Sequence, residues 1–359
     1  MDFPLFTAVF LLCVFGLIMV FSASYYYAYD KFDDGLYFLK DQAVYMSAGI
    51  VAMLVISRID YHRWDKLRVF ALVLTLTLMA AVVIWGKEAN GAKRWLSVFG
   101  LFMFQPSELA KFALILYMSS FMAKRPQHMK SFVNGVVPML IIMALICMFL
   151  LLQRNLSMLI ILMLTGMLML FLGGAEIKHL LLMGAVAMPV FFLLAYAEEY
   201  RWARMLMFRD PFTSELDGAY QLRQSLYALG SGGLFGKGLN FSRQKLLFLP
   251  YGESDMIFSI IGEELGFIGC VMLISAYVFI VYRGIRIAIK CKDRFGSLMA
   301  AGITCVVGIQ AAVNIGVATS SIPPTGQTLP FISAGGTSLL VFLGAMGILL
   351  NISRNIDIE

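Results

Sequence analysis

The chain has 359 residues, of which 60% are hydrophobic and only 14% charged. That leaves too little polar surface for a water-soluble fold of this length, so the bilayer is its main solvent. The formal net charge of +6 is spread over short loops between apolar blocks, a pattern that encodes membrane orientation and argues against nucleic acid as a partner.

A bilayer-spanning helix needs about 20 mostly apolar residues. Taken in chain order, the apolar blocks predict ten such helices. They lie near Phe6–Ser24, Gln42–Ser57, Val69–Gly86, Ser107–Ala123, Phe132–Leu152, Ser157–Gly173, His179–Ala197, Met256–Arg283, Leu298–Ser320 and Ile332–Ile352. The expected fold is therefore an all-α integral membrane protein with a single polytopic domain over residues 1–359. Its one large loop, about 198–255, joins the seventh and eighth spans. The first block is followed by small residues at Ser22–Ser24, as a signal peptide would be. Its start carries Asp2 and no Lys or Arg, so it reads as a retained helix. The cysteines Cys13, Cys147, Cys270, Cys291 and Cys305 show no paired spacing and support neither a disulfide framework nor a zinc site.

Ten crossings place both termini on one side. With that side inside, inner loops hold fourteen Lys and Arg, in Arg58–Arg68, Lys124–Lys130, Lys178, Arg283–Arg294 and Arg354. The short outer loops hold six: Lys31, Lys40, Lys87, Lys93, Arg94 and Arg154. The positive-inside rule then makes the termini cytoplasmic and the large loop extracytoplasmic. His62, His128 and His179 all fall on the inner side, so proton transfer at the outer face must use carboxylates, Lys or Tyr.

A charge at the centre of a span costs roughly 2.5–3.5 kcal/mol on insertion scales, so polar residues inside the blocks each need a reason. Gly91-Ala-Lys-Arg-Trp95 puts two cations before an aromatic, which is either an ordinary interfacial belt or part of a site. Glu108 and Lys111 in the fourth span are three residues apart and share a helix face. They either satisfy each other or line a polar cavity in which Lys111 faces an anionic phosphate. Gln153-Arg-Asn-Leu-Ser157 breaks the sequence between two spans and must be buried in protein or line a cavity.

The large loop is the most informative stretch. Tyr220–Leu229 has amphipathic spacing and is expected at the membrane interface. Gly230–Gly238 is dense in glycine but lacks the spacing of a nucleotide-binding loop. Its amides could approach a phosphate, or its glycines could serve tight turns against the bundle. Asp255 stands where apolar sequence resumes. A helix-terminal acid is expected there for its dipole alone, with Ser254 as the cap. Glu263 and Glu264 lie about 12 Å deeper and need cationic or polar partners. Gln310 and Asn314 suggest a polar interior, and the uncharged, Pro- and Gly-rich Ser321–Ser338 reads as an irregular segment held against protein.

Taken together and in order, Lys93–Leu96, Gln105–Lys111, Tyr220–Leu239, Leu249–Phe258 with Glu263–Gly266, and Thr325–Ser338 running into Leu349–Arg354 resemble the SEDS family of shape, elongation, division and sporulation proteins. The resemblance covers nearly the whole chain and is closer to the division and sporulation branch. It implies a peptidoglycan glycosyltransferase at the outer face of the bacterial cytoplasmic membrane, which polymerises lipid II into a β-1,4 glycan. It implies Asp255 as the catalytic base and places family motifs on Arg94, Trp95, Glu108 and Lys111, which with Lys245 and Ser254 are the expected substrate-binding residues. A class B penicillin-binding protein is the implied partner, beside lipid II and membrane lipids. The resemblance fixes no cofactor; a divalent cation, Lys111, Arg94 or Lys245 could stabilise the leaving pyrophosphate. The sequence departs from the family pattern at Tyr251, Asn155 and Asn240, where an acid, an aspartate and a glycine are usual. Many spans with intramembrane charges also suit a lipid-precursor flippase or transporter, and a non-catalytic scaffold is the third reading.

Overall fold

In hydrocarbon a backbone must satisfy its own N–H and C=O groups, so each apolar block becomes a helix. The computed structural model describes residues 1–89, 92–98, 102–196, 202, 205–212 and 217–356. Its helices are α1 (Phe3–Phe32), α2 (Tyr37–Ile56), α3 (His62–Trp85), α4 (Pro106–Lys124), α5 (Val137–Leu152) and α6 (Leu156–Leu172), followed by α7 (Ile177–Tyr196), α8 (Asp217–Gly232), α9 (Ile257–Lys290), α10 (Arg294–Ala318) and α11 (Gly336–Arg354).

Among the described residues seven helices are long and apolar enough to cross a membrane: α1, α2, α3, the Phe132–Leu152 segment that contains α5, α9, α10 and α11. Two shorter apolar stretches, Leu156–Leu172 and Ile177–Val190, belong to α6 and α7. With α4, which carries Glu108 and Lys111 near its start, these account for the ten expected spans. Several helices run past the limits set by hydropathy. The first turns of α3 are polar, His62–Arg68, and are held by Asp65, which pairs with Arg68 at 3.2 Å and with Lys124 of α4 at 2.7 Å. Hydropathy sees only the part of a helix that lies in hydrocarbon.

The termini meet. Asp2 caps α1 by accepting from Leu5 N at 3.0 Å, its amide donates to Ser353 of α11 at 2.9 Å, and its carboxylate pairs with Arg283 of α9 at 2.7 Å. The start of α1 and the end of α11 therefore sit on the same side of the bundle.

Three features depart from a plain helical bundle. A small antiparallel sheet, β1 (Lys87–Ala89), β2 (Ala92–Val98) and β3 (Phe102–Phe104) in the order β1-β2-β3, follows α3. It lies between apolar blocks, where Trp95, Val98, Phe102 and Phe104 favour extended backbone. Next, α8 packs against the bundle. Its Ala219, Leu222, Ser225 and Ala228 are buried, and the Ser225 hydroxyl sits 2.6 Å from that of Ser259 while donating to the Ala318 carbonyl. Finally, α9 is broken at Gly266, whose φ of 69° and ψ of −166° are not helical. Residues 197–201, 203–204 and 213–216 of the large loop, and Gly91, lie outside the described residues.

The break in α9 explains the glycine-rich run. Helix termini leave carbonyls and amides without intrahelical partners. Here Lys237 N donates to the Glu263 carbonyl at 3.0 Å and Gly238 N to the Glu264 carbonyl at 2.9 Å. On the other side, Phe267 N donates to Gly233 O at 2.8 Å and Ile268 N to Leu234 O at 3.2 Å. Side chains would forbid this approach: a Cβ at Gly236 would stand 2.1 Å from the Glu264 carbonyl oxygen, and one at Gly266 would stand 2.3 Å from Gly236 N. Of the two readings left open for Gly230–Gly238, the turn against the bundle is the one the backbone adopts. The amides of Lys237 and Gly238 are spent on carbonyls.

Candidate active site

Asp255 occupies the turn that leads into α9. The helix starts at Ile257 with Met256 at the N-cap position, so Asp255 stands one residue outside the cap. Ser254 does not cap the helix, because its hydroxyl turns back to the Tyr251 carbonyl at 3.5 Å. The Asp255 side chain is half-buried, and its Oδ2 lies 3.3 Å from the point where a Cβ on Gly326 would stand.

The uncharged late loop is fastened to this turn along its length. Ala334 N donates to the Glu253 carbonyl at 2.9 Å, and the Ser333 hydroxyl donates to the Ser254 carbonyl at 2.6 Å. Asn314 Nδ2 donates both to the Asp255 carbonyl at 2.9 Å and to the Gln327 carbonyl at 2.7 Å. Side chains from the helices hold the same loop from behind. Gln42 of α2 reaches the Ser333 carbonyl at 3.1 Å, Tyr277 of α9 the Pro330 carbonyl at 2.5 Å, and Gln310 of α10 the Thr328 carbonyl at 3.0 Å. Non-helical backbone at membrane depth persists only when its polar groups are met in this way. That is the reason for Gln310 and Asn314 in an otherwise apolar helix. Gln42, Tyr277 and Ser333 carry the same duty, yet nothing in their local sequence distinguishes them.

Glu108 and Lys111 lie behind the loop. Lys111 Nζ is 2.9 Å from Glu108 Oε2 and 2.5 Å from Gln310 Oε1, and it sits 4.6 Å from the centre of the Phe342 ring. Ser338 donates to Glu108 Oε2 at 3.0 Å. With both side chains almost fully buried, the pair is an internal tie, and Lys111 does not face an open cavity. Through Gln310 and Ser338 it anchors the late loop at its middle, Thr328, and at its far end.

Lys245 is likewise spent internally. Its Nζ contacts Glu264 Oε1 at 3.0 Å, Ser22 Oγ at 3.1 Å and Asn240 Oδ1 at 2.5 Å, while Ser22 donates to both oxygens of Glu264. Glu263 pairs with Lys237 at 2.6 Å and accepts from Ser242 and from the amides of Arg243 and Gln244. The partners that these deep carboxylates required come from the large loop and, for Glu264, also from Ser22 of α1. Buried charges persist when they are paired and hydrogen-bonded in this manner.

Arg94 and Trp95 lie in β2, both partly exposed. Arg94 Nη2 donates to the Arg154 carbonyl at 2.7 Å and so joins the sheet to the break between α5 and α6. That break is buried: Gln153 donates to the Met79 carbonyl at 3.0 Å, and Asn155 caps α6 by accepting from Met158 N at 3.3 Å. Thr337 donates to the Met103 carbonyl at 3.0 Å, which brings the sheet against the start of α11.

Glu253 is the other carboxyl beside the site. It is buried outside the helices, and desolvation pushes its pKa above the ordinary 4.5 against the weaker pull of Lys31. Among the described residues no three His, Cys, Asp or Glu side chains gather where they could hold a metal ion.

The comparisons with known proteins agree on one family. The model of the FtsW/RodA/SpoVE cell cycle proteins matches residues 3–357. A protein named probable peptidoglycan glycosyltransferase FtsW from Geobacter sp. (strain M18) is 42% identical over 348 residues, 96% of this chain and 94% of its own. Stage V sporulation protein E of Bacillus subtilis (strain 168) is 40% identical over 346 residues, 96% of this chain and 94% of its own. Among solved structures, a chain described under the structural coordination of polymerization and crosslinking by a peptidoglycan synthase complex superposes with a TM-score of 0.81. It is 27% identical and covers 99% of this chain and 98% of its own. The rod shape determining protein RodA of Thermus thermophilus superposes with a TM-score of 0.72 at 26% identity, over 99% of this chain and 97% of its own. Sequence, helix order and superposition thus agree over nearly the full length, and the chain is a member of the FtsW/RodA/SpoVE family of integral membrane cell cycle proteins.

Proposed function

We propose that this protein is a peptidoglycan glycosyltransferase that polymerises lipid II, with Asp255 as the general base. The observation that carries the reading is a contrast among its acids and cations. Glu108, Lys111, Lys245, Glu263 and Glu264 are buried inside the bundle, whereas Asp255 is a half-buried carboxylate at the mouth of a helix, on a turn that several elements hold in place. Full-length relatives named as peptidoglycan glycosyltransferases support the same activity.

In the reaction Asp255 takes the proton of the acceptor sugar 4-hydroxyl. The oxygen attacks the anomeric carbon of the donor, a carbon–oxygen bond forms, and the bond to pyrophosphate breaks. A single displacement inverts α to β, and the polyprenyl pyrophosphate leaves as an anion. A positioned base contributes about 10²–10⁴-fold to such a step. The departing charge needs stabilisation, not a proton, so one carboxylate suffices, in contrast to the pair used by glycosidases. Arg94 is the candidate site cation that retains exposure. Magnesium is commonly held by one or two carboxylates with substrate phosphates, a donor set that Asp255 and the pyrophosphate could offer.

The same reading places the sheet, the late loop and Asp255 at the extracytoplasmic face and both termini in the cytoplasm, following the charge asymmetry of the loops. It assigns a class B penicillin-binding protein as partner for crosslinking, in keeping with the synthase complex that the fold resembles. The test is glycan synthesis from lipid II by the purified chain with that partner, comparing wild type with Asp255→Asn. Polymer from wild type and none from a folded, partner-bound variant is expected. Equal polymer from both would remove Asp255 as the base, and no polymer from either would remove the enzymatic reading.

A further inference from the structure

The polar groups of the late loop are shared among several helices, and from α10 the Asn314 side chain touches both halves of the site. Asn314 is 1% exposed, and its Nδ2 hydrogens go to the Asp255 carbonyl at 2.9 Å and the Gln327 carbonyl at 2.7 Å. Its Oδ1 is buried and finds no partner among the described residues, so there this bridge is the whole of its side-chain hydrogen bonding. A buried amide in an apolar helix is costly unless it is bonded, and here the bonds go to the two backbone segments that flank the carboxylate.

Between those segments stands Gly326. Its backbone lies against the Asp255 side chain so closely that a Cβ would come 3.3 Å from Oδ2. That is tighter than most real contacts of a Cβ. Gly326 itself is exposed. The residues on either side of it are restrained: Gln327 through its carbonyl on Asn314, and Thr325 through the Gln327 N–H that its carbonyl accepts at 2.9 Å.

We propose that Asn314 and Gly326 are positioning residues for Asp255. The Asn314 amide sets the gap between the Asp255 turn and the late loop, and the missing side chain at Gly326 keeps that gap open for the acceptor hydroxyl. This rests on the reading of Asp255 as the base. A reacting group displaced by about 1 Å loses on the order of 10²-fold in rate. An error of that size follows readily if either carbonyl is released.

The experiment uses the full chain with its penicillin-binding partner and measures initial rates of lipid II polymerisation against lipid II concentration and pH, with thermal unfolding recorded in parallel. Asn314→Leu removes the donor at similar volume, and Gly326→Ala adds one methyl at the carboxylate on an exposed loop where folding is not at stake. Both variants are expected to lower kcat by about 10- to 100-fold, to leave KM within about twofold, and to shift the acidic limb of the pH profile. Gly326→Ala is expected to leave the unfolding temperature unchanged. Wild-type kcat and pH profile in Gly326→Ala would overturn the proposal, as would a fall in rate in Asn314→Leu that tracks only the loss of folded protein. Asp255→Asn run alongside separates the two readings. If it polymerises at the wild-type rate, the base assignment falls and this inference with it. If it is inactive while both variants match wild type, only this inference falls.

Discussion

Lys111 and Glu108 form an ion pair at 2.9 Å, with side-chain exposures of 0% and 5%, and the lysine is shared with Gln310. Removing one partner from such a pair strands a buried charge, at a cost of about 3–5 kcal/mol. Lys111→Met is therefore expected to lower the unfolding temperature of the detergent-solubilised protein markedly. Glu108→Leu combined with Lys111→Met should recover most of that stability, because apolar replacements of similar size remove both charges. Polymerisation is expected to stay low in the double variant, since Gln310 and Ser338 lose the partners that anchor the late loop. Thermal unfolding and lipid II polymerisation on the same preparations check both statements.

Lys245→Met tests the second buried pair. Glu264 would keep Ser22 but lose its cation, and Asn240 would lose its bond to Nζ. The segment between Lys237 and Leu249 is held to α9 largely through Glu263 and Glu264, so it should open locally. Hydrogen exchange is expected to rise in that segment while α3, α5 and α6 keep their protection. Unchanged exchange there would show that the glycine contacts alone hold the loop.

Gly266→Ala probes the break in α9. The backbone conformation of Gly266 is essentially reserved for glycine and costs a residue with a Cβ on the order of 1–3 kcal/mol. The new Cβ would also meet Gly236 N at 2.3 Å and Leu234 O at 2.6 Å, and both are backbone atoms that cannot turn aside. The variant should unfold at a lower temperature than Gly230→Ala, where an added Cβ meets nothing within 4 Å. Equal unfolding temperatures would mean that α9 can straighten without loss.

Glu253 sets a pH dependence. Its folded-state pKa is raised above 4.5 by burial, so the folded chain binds this proton more tightly than the unfolded chain does. Below 4.5 the group has no effect on stability. As pH rises from there through the raised pKa, the folded state is increasingly disfavoured by a buried charge. Glu253→Gln should thus match wild type at low pH and become the more stable protein as pH increases through that window. The difference between the two unfolding curves isolates Glu253 from Asp34, Asp60 and Glu176, whose partners hold their pKa values low.

Much of this architecture is legible without coordinates. Ten helices follow from apolar blocks of bilayer length, because hydropathy is a sum over neighbouring residues and needs no knowledge of the fold. The Glu108–Lys111 pair follows from its spacing of three, and the break at Gln153–Asn155 from polar residues where a span should continue. Motif order singles out Asp255. What residue spacing cannot supply is the choice of long-range partner. Ser22 and Lys245 meet Glu264 from 242 and 19 residues away, Asn314 meets Asp255 from 59, and Gln42 meets Ser333 from 291. The fracture of α9 at Gly266 is invisible for the same reason. Its freed amides and carbonyls are tolerable only because Gly233–Gly238 lies against them, and nothing local announces that contact. The bilayer dictates that every buried polar group must find a partner, and the sequence shows which groups those are. Only the packed bundle decides which partner each one takes.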